Sequence, residues 1–380
     1  MTTYRGPVPI VGVPAESASL EFTVLPEEFA PYNALILPMN SNGTYNFTVT
    51  WGDGASDVIT TYNDPVRRHV YSTPGSYSVK MTGVYTDMNF EISYWGVGSV
   101  YVAGQFVAIS VPMQGDRYYE CILNNVGDSD NRPGTGVNWE TYWLLPTYGQ
   151  NKTHTLLRSV DLVVGDMGFT VLSFGGCGGI TSIDGSLSNL KSLTTAVNMF
   201  SSCVSLTTIP SGIFDGSTGI TSFNGTFKNS GIRAIPPGLF DKNVLATDFS
   251  AVFYYVGDYG GISEIPADLF KNNILATTFL ECFLGPGLGL KTIPVGLFDT
   301  NILVTSFSGT FESSKLTAIP SGLFTYNTAV TDYQKTFAQC PDIVSAAPKL
   351  WLLVPEPNGT TCFLNDFSIS NYEEIPADWK

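Results

Sequence analysis

Ile319-Pro320-Ser321-Gly322-Leu323-Phe324 decides how this chain is read, because versions of it recur through the C-terminal half. Close copies are Ile209-Pro210-Ser211-Gly212-Ile213-Phe214, Ile235-Pro236-Pro237-Gly238-Leu239-Phe240, Ile265-Pro266-Ala267-Asp268-Leu269-Phe270 and Ile293-Pro294-Val295-Gly296-Leu297-Phe298. Weaker copies start at Ala347 and Ile375, so the anchors step by 26, 30, 28, 26, 28 and 28 residues. A period of that size belongs to a solenoid. The segments before the anchors, such as Leu206-Thr207-Thr208-Ile209 and Leu316-Thr317-Ala318-Ile319, alternate apolar and polar and predict short strands stopped by the proline.

A second motif lies between the anchors: Thr221-Ser222-Phe223-Asn224-Gly225-Thr226-Phe227, Thr305-Ser306-Phe307-Ser308-Gly309-Thr310-Phe311 and their counterparts from Thr247, Thr277, Thr331 and Thr361. Thr, Ser or Asp ahead of two aromatics four apart predicts an N-capped helical turn with one buried face. Each coil then has one strand, one turn and one helical turn, and about eight coils make a block roughly 40 Å long. Leu156 to Val160 reads as a degenerate first coil and Ile180 to Ile183 as the second.

Composition sets limits on function. Of 380 residues only 13% are charged, while Gly (38), Pro (23), Phe (24) and Tyr (19) are plentiful, which leans towards β-structure rich in turns. The net charge is −15 and no Lys/Arg run could neutralise phosphates, so nucleic acid is not an expected partner. No uninterrupted apolar run reaches the roughly 18 residues of a membrane span, so membrane insertion is not expected. Met1 to Pro7 lacks a basic segment followed by an apolar one; if Met1 is the natural start, export by the usual route is not expected.

The six cysteines are too few for a disulfide scaffold, and no CxxC or Cys/His cluster suggests a metal, so no cofactor is expected. Cys177 and Cys203 lie six residues before Ile183 and Ile209, and Cys340 seven before Ala347. That phase fits a buried ladder of thiols, with a bridge between neighbouring coils as the alternative.

Residues 1–19 read as an N-terminal arm or docking segment, with a disordered tail as the alternative. From Leu20 short alternating strands follow, and Tyr45 to Thr50 runs into Trp51-Gly52-Asp53-Gly54, with His69-Val70-Tyr71-Ser72-Thr73-Pro74-Gly75-Ser76-Tyr77-Ser78-Val79 beyond. Alternation bounded by Asp-Gly and Pro-Gly turns predicts an antiparallel sandwich. These motifs resemble the polycystic-kidney-disease (PKD) type of immunoglobulin-like domain, over residues 20–94. Asp53 and His69 are read as turn-holding and packing groups rather than an acid/base pair.

Residues 95–146 break the pattern. Trp95, Tyr101, Gly104 and Val107, then Tyr119 and Cys121, then Pro133 and Trp139, resemble in order and spacing a small chitin-binding type of carbohydrate module. This chain departs from that family at Gln105, where the family usually has Asp. The resemblance implies a sugar platform from Trp95, Tyr101, Tyr119 and Trp139, with Tyr118 and Trp143 as neighbours and Asn124, Asn125 or Glu140 as polar partners. The alternative is that these aromatics are the core of the module.

The repeats of residues 147–380, IPxGLF then TSFxGTF then LTxIP, resemble the BspA-like class of leucine-rich repeats of bacterial surface proteins. The implied fold is mainly β with short helical turns: an immunoglobulin-like sandwich, a small β module and a leucine-rich-repeat solenoid. The link from second aromatic to anchor is eight residues before Ile235 and Ile319, ten before Ile293 and twelve before Ile265, where Phe253 to Gly261 is expected to protrude. Tyr254, Tyr255, Asp258 and Tyr259 there form a candidate recognition loop, with a tolerated insertion as the alternative.

Catalysis is not expected: there are two histidines, His69 and His154, and no nucleophile elbow, Walker loop or HExxH. The third and weakest reading, a glycan-active enzyme, would need only two carboxylates. The expected function is a non-enzymatic exposed virion protein of a tailed bacteriophage, a tail fibre or decoration protein, multimeric on the particle. Its expected partners are other virion proteins through the arm, and a host-surface glycan or protein. The alternative is an adhesin on the bacterial cell surface or secreted.

Overall fold

The computed structural model describes residues 18–26, 33–39, 41–89, 93–94, 100–101, 106–111, 115–121, 125–126, 143–144, 157–257 and 261–380. Its fold is mainly β with short 3-10 turns, as the composition and repeats predict. The N-terminal part carries β1 (Ser19–Val24), β2 (Ala34–Ile36), β3 (Tyr45–Thr50), β4 (Ser56–Ile59), β5 (Arg68–Val70), β6 (Tyr77–Tyr85) and β7 (Asp87–Asn89). Strand β3 alternates buried and exposed residues along its whole length, which sends Tyr45, Phe47 and Val49 inward. Gly52 and Gly54 both have positive φ, and a Cβ on Gly52 would lie 2.6 Å from the Ser78 carbonyl oxygen, so the Trp51–Gly54 turn requires glycine there.

Asp53 and His69 hold this corner. Asp53 Oδ1 accepts the Ala55 amide at 3.0 Å, and Oδ2 lies 2.7 Å from His69 Nε2. The imidazole stacks on buried Trp51 with ring centres 4.7 Å apart. Burial alone would raise the Asp53 pKa, but the Ala55 amide and His69 outweigh it and lower it.

Between sandwich and repeats, β8 (Ser93–Tyr94), β10 (Phe106–Val111), β11 (Gly115–Cys121) and β13 (Trp143–Leu144) form one sheet in the order β13-β11-β10-β8. Strands β9 (Val100–Tyr101) and β12 (Asn125–Val126) pair separately.

The repeats join the sandwich through shared sheet. Strand β14 (Leu157–Val164) pairs antiparallel with β1 and parallel with β16 (Ser182–Ile183), giving the sheet order β16-β14-β1-β6-β3-β4. The segment expected as a degenerate first coil is thus a full strand lying against β1. Strand β15 (Val171–Ser173) pairs parallel with β7. From this corner Thr170, Thr194, Thr221, Thr247, Thr277, Thr305 and Thr331 each donate an amide to the threonine one rung earlier, beginning with Thr86 of the sandwich.

Inside each coil the structure corrects two expectations. The segments before the anchors are not strands. They make single bonds between coils, such as Arg233 N to Thr207 O at 3.1 Å, and the proline after each anchor has no N–H to continue a ladder. Inter-coil pairing runs instead through the motif expected to be helical: Ser222, Asp248, Thr278, Ser306, Asp332 and Asn358 form successive parallel bridges. Phe223, Gly225, Phe227 and Asn229 donate to the carbonyls of Asp248, Ser250, Val252 and Tyr254, while Thr226, Lys228 and Ser230 close turns on their own coil. The capping chemistry survives without the helix, since Ser222, Asp248, Thr278, Ser306, Asp332 and Asn358 each accept the amide two residues on.

Three aromatic columns fill the stack. Phe174, Phe200, Phe227, Phe253, Phe283, Phe311, Phe337 and Phe363 stack at 5.6–5.9 Å. Phe223, Phe249, Phe279, Phe307 and Tyr333 form the second column, and the anchor phenylalanines Phe214, Phe240, Phe270, Phe298 and Phe324 the third. Beside the third column runs a buried amide ladder. Asn243, Asn273, Asn301 and Asn327 each donate Nδ2 to two carbonyls of the preceding coil, as Asn273 does to Phe240 O at 3.1 Å and Asn243 O at 2.9 Å.

Cys177, Cys203, Cys282, Cys340 and Cys362 are buried free thiols, and Cys203 Sγ donates to Phe174 O and Cys340 Sγ to Phe311 O of the preceding coil. Burial pushes Cys203 and Cys340 up to about 12, so neither is a thiolate at neutral pH. The last coil closes the stack: Trp379 is buried, donates Nε1 to Glu356, and packs edge-on to Trp351, which meets Phe363.

Removing one rung of the amide ladder by Asn273→Ala forfeits two buried hydrogen bonds and should cost about 2–3 kcal/mol, read as a lower urea midpoint. Asp366 gives a signed pH effect. It is buried, accepts the Cys340 amide at 2.6 Å through Oδ1, leaves Oδ2 unpartnered, and burial raises its pKa to about 7. An unfolded aspartate ionises near pH 4. Its stabilising contribution is therefore full below about pH 4 and declines as pH rises through 7. Asp366→Asn should remove that decline, so that the variant gains on wild type in urea midpoint at pH 8 more than at pH 4.

Candidate functional site

The best-defined polar and aromatic cluster on the stack forms at the arc positions that the core leaves free. In successive coils these positions hold Lys228, then Tyr254 and Tyr255, then Glu281, then Glu312, then Lys335. The bridges align them because Asn229 N donates to Tyr254 O, Tyr255 N to Leu284 O and Gly285 N to Glu312 O.

Lys228 Nζ sits 4.5 Å from the centre of the Tyr254 ring. Tyr254 and Tyr255 lie with ring centres 4.6 Å apart, and Tyr255 is 44% exposed. Tyr255 has φ 50°, and its ring lies over Gly285, where a Cβ would come within 3.3 Å of Tyr255 Cδ2. Gly309 forms a notch: a Cβ there would lie 3.2 Å from Glu281 Cγ and 3.5 Å from Glu312 Oε2. Burial, with the neighbouring Glu281, raises the Glu312 carboxyl above its ordinary value, and Lys335 offsets part of the rise. Burial and the same two glutamates raise the Tyr254 phenol.

Chemically this is a row of cation, ring faces, two carboxylates and cation. Ring faces can take the apolar side of a sugar, and the carboxylates can accept its hydroxyl hydrogens. Of the predicted loop, Tyr254 and Tyr255 belong to the cluster, and Asp258 and Tyr259 lie outside the described residues. Phe253 and Val256 from the same stretch are buried core. Gly257 and Gly261 approach each other closely, since a Cβ on Gly257 would lie 2.3 Å from Gly261 Cα.

The predicted sugar platform is placed only in part. Trp95 and Trp139 lie outside the described residues. Tyr118 and Tyr119 are in β11, opposite Ala108 and Val107 of β10, and Trp143 in β13 pairs with Cys121. Tyr101 is in β9, opposite Asn125.

Lys228, Glu281, Gly309, Glu312 and Lys335 were missed by sequence reasoning. The signal for them was variation at motif positions between and directly after the paired aromatics. A second surface went unread as well: Val244 and Leu245, Ile274 and Leu275, and Ile302 and Leu303 are exposed in three consecutive coils, each pair directly after a ladder asparagine. Among the described residues no group of His, Cys, Asp and Glu could hold a metal ion, and no helix is long and apolar enough to cross a membrane.

No family model matches the chain, and no curated protein matches it. Among solved structures, one similar chain comes from "Structure of the Toll - Spatzle complex, a molecular hub in Drosophila development and innate immunity". It is 20% identical, and the match covers 50% of this chain and 30% of that one with a TM-score of 0.24. A likeness at that level carries no argument about function.

If Glu281 and Glu312 share one site, Glu281→Gln should lower the Glu312 pKa and Lys335→Met should raise it. Carboxyl-carbon NMR titration would read both, and midpoints unchanged in both variants would show that the two carboxyls do not interact.

Proposed function

We propose that this protein is a non-enzymatic binding module displayed on the exterior of a particle, with the Tyr254–Lys335 face as its contact for a host-surface glycan or protein. The observation that carries the proposal is the exposed Tyr255 ring set against Tyr254, whose phenol lies in the field of Glu281 and Glu312, on a stack held by buried aromatic columns. A rigid platform lowers the ordering cost of binding. The finer identity follows the motif resemblances: a PKD-like sandwich before BspA-like leucine-rich repeats, with the segment from Trp95 to Trp143 as a second sugar platform.

The setting proposed is the surface of a bacteriophage virion, as tail fibre or decoration protein, multimeric and attached through residues 1–19. The second setting is a bacterial cell surface, favoured by the BspA-like motifs themselves. In either setting, the chain works as a spacer that holds a recognition face away from an anchor.

Tyr255→Ala and Glu312→Gln should each lower binding of the purified chain to host cells or arrayed glycans by roughly tenfold, the loss of about 1.4 kcal/mol. Thermal melting within a few degrees of wild type would show the fold intact. Undiminished binding by the double variant would remove this face from the proposal.

A further inference from the structure

The amide ladder ends one rung early, and the place of the missing rung is a pocket. Each ladder asparagine lies five residues before its bridge residue: Asn243 before Asp248, Asn273 before Thr278, Asn301 before Ser306 and Asn327 before Asp332. The next bridge residue is Asn358, which puts Leu353 in the rung position. The backbone agrees, since Leu353 N donates to Leu350 O at 3.2 Å as Asn327 N donates to Phe324 O at 3.1 Å. Leucine has no side-chain amide to give.

Two buried carbonyls are left with spare acceptor capacity. Upstream, each such carbonyl takes one amide of its own coil and one side-chain Nδ2 from the next, as Phe298 O takes Asn301 N and Asn327 Nδ2. Among the described residues, Phe324 O accepts only from Asn327 N, and Asn327 O only from Val330 N. These groups border a cavity of about 430 Å³ whose other wall is Leu350, Leu353, Val354 and Pro355. The core opens at this point: Phe324 is 9% and Val330 8% exposed, whereas Phe298 and Val304 one coil earlier are fully buried. On the rim, Leu353 is 46% and Val354 97% exposed. The two nearby charged groups are engaged elsewhere, Lys349 with Glu374 and Glu356 with the Trp379 indole.

We propose that this cavity binds a small molecule carrying a primary amide on an apolar body, the NH2 group taking the place of the absent asparagine on Phe324 O and Asn327 O. The volume lies within the usual range for small-ligand pockets, and the lining combines Leu350, Leu353, Val354 and Pro355 with Thr325, Thr328 and Thr331. Water filling the unliganded cavity can bond the same carbonyls, so an amide reproduces those bonds while its body gains apolar burial. A body of the same shape without an N–H leaves the second acceptor position of each carbonyl unfilled, which costs affinity. The site is separate from the Tyr254–Lys335 face, so its failure would leave the proposed function untouched.

The probe is benzamide, with acetophenone as its donor-free counterpart, titrated into the full chain carrying 13C-methyl labels. Benzamide should move the methyl resonances of Val330, Leu350, Leu353 and Val354 in a saturable manner, with acetophenone roughly tenfold weaker. Leu353→Asn supplies the rung from within, so it should abolish benzamide binding and raise the melting temperature. Equal binding of the two probes, or no saturable shift with benzamide, would overturn the proposal. The wild-type comparison decides alone should the variant fail to fold.

Discussion

Each backbone N–H from Phe223 to Ser230 has a partner, and from Phe223 onward the partners alternate between the next coil and the residue's own turn. An α-helix would direct those amides to carbonyls four residues back and leave nothing for the neighbouring coil. The alternation instead draws coils to the separation of paired strands, about 4.8 Å. At that pitch, aligned phenylalanines stack with modest offset, and an asparagine reaches the carbonyls of the coil before it. The columns and the amide ladder are thus consequences of where the arc's N–H groups point.

The arc has a conformational cost. Two residues in each, four apart, take positive φ: Ala251 and Tyr255, Glu281 and Gly285, Lys335 and Gln339, Thr361 and Asn365. For a residue other than glycine this costs roughly 1–2 kcal/mol. Sustained over several coils it must be offset by packing that is also repeated, which the three aromatic columns supply. The ends of the stack lack a neighbour on one side and are closed by different means. At the start, β14 is at once an edge of the repeats and a neighbour of β1, so the sandwich sheet is the cap. At the finish, Trp351 and Trp379 cover Phe363, and Phe363 N and Thr361 N donate to Trp379 O and Asp378 O.

The period, the buried anchors and the paired aromatics were legible because each is a side-chain pattern repeated with the coil. Ile235, Ile265, Ile293 and Ile319 are buried as their phase implies. What misled was local grammar. Thr-Ser-Phe reads as a cap followed by a helix, since Ser222 does accept the Asn224 amide, but tertiary pairing claims the amides that a helix would need. The ladder asparagines recur three residues after Phe240, Phe270, Phe298 and Phe324, yet Asn243 and Asn273 look like surface turn residues until a second coil supplies the carbonyls they bond. The Tyr254–Lys335 cluster was half legible. Aromatic composition marked Tyr254 and Tyr255, whereas Glu281, Glu312 and Lys335 come from coils 26 to 30 residues apart and meet only in register.

The arc also decides where variation is permitted, and therefore where recognition can arise. Positions occupied by Phe223 and Phe227 carry two of the columns, and Thr226 beside them is buried. Those of Asn224, Gly225, Lys228 and Asn229 vary from coil to coil, from Lys228 to Tyr254, Leu284, Glu312 and Ala338 at one of them. Positive φ at two of the four fixes the backbone direction from which a side chain leaves, so the scaffold sets where Tyr255 and Glu281 start. A ligand meeting such a face finds side chains already placed, with little loop to order. The stack gains rigidity and a variable face from one hydrogen-bond pattern, so change at these positions can retune binding without touching the interior that holds them.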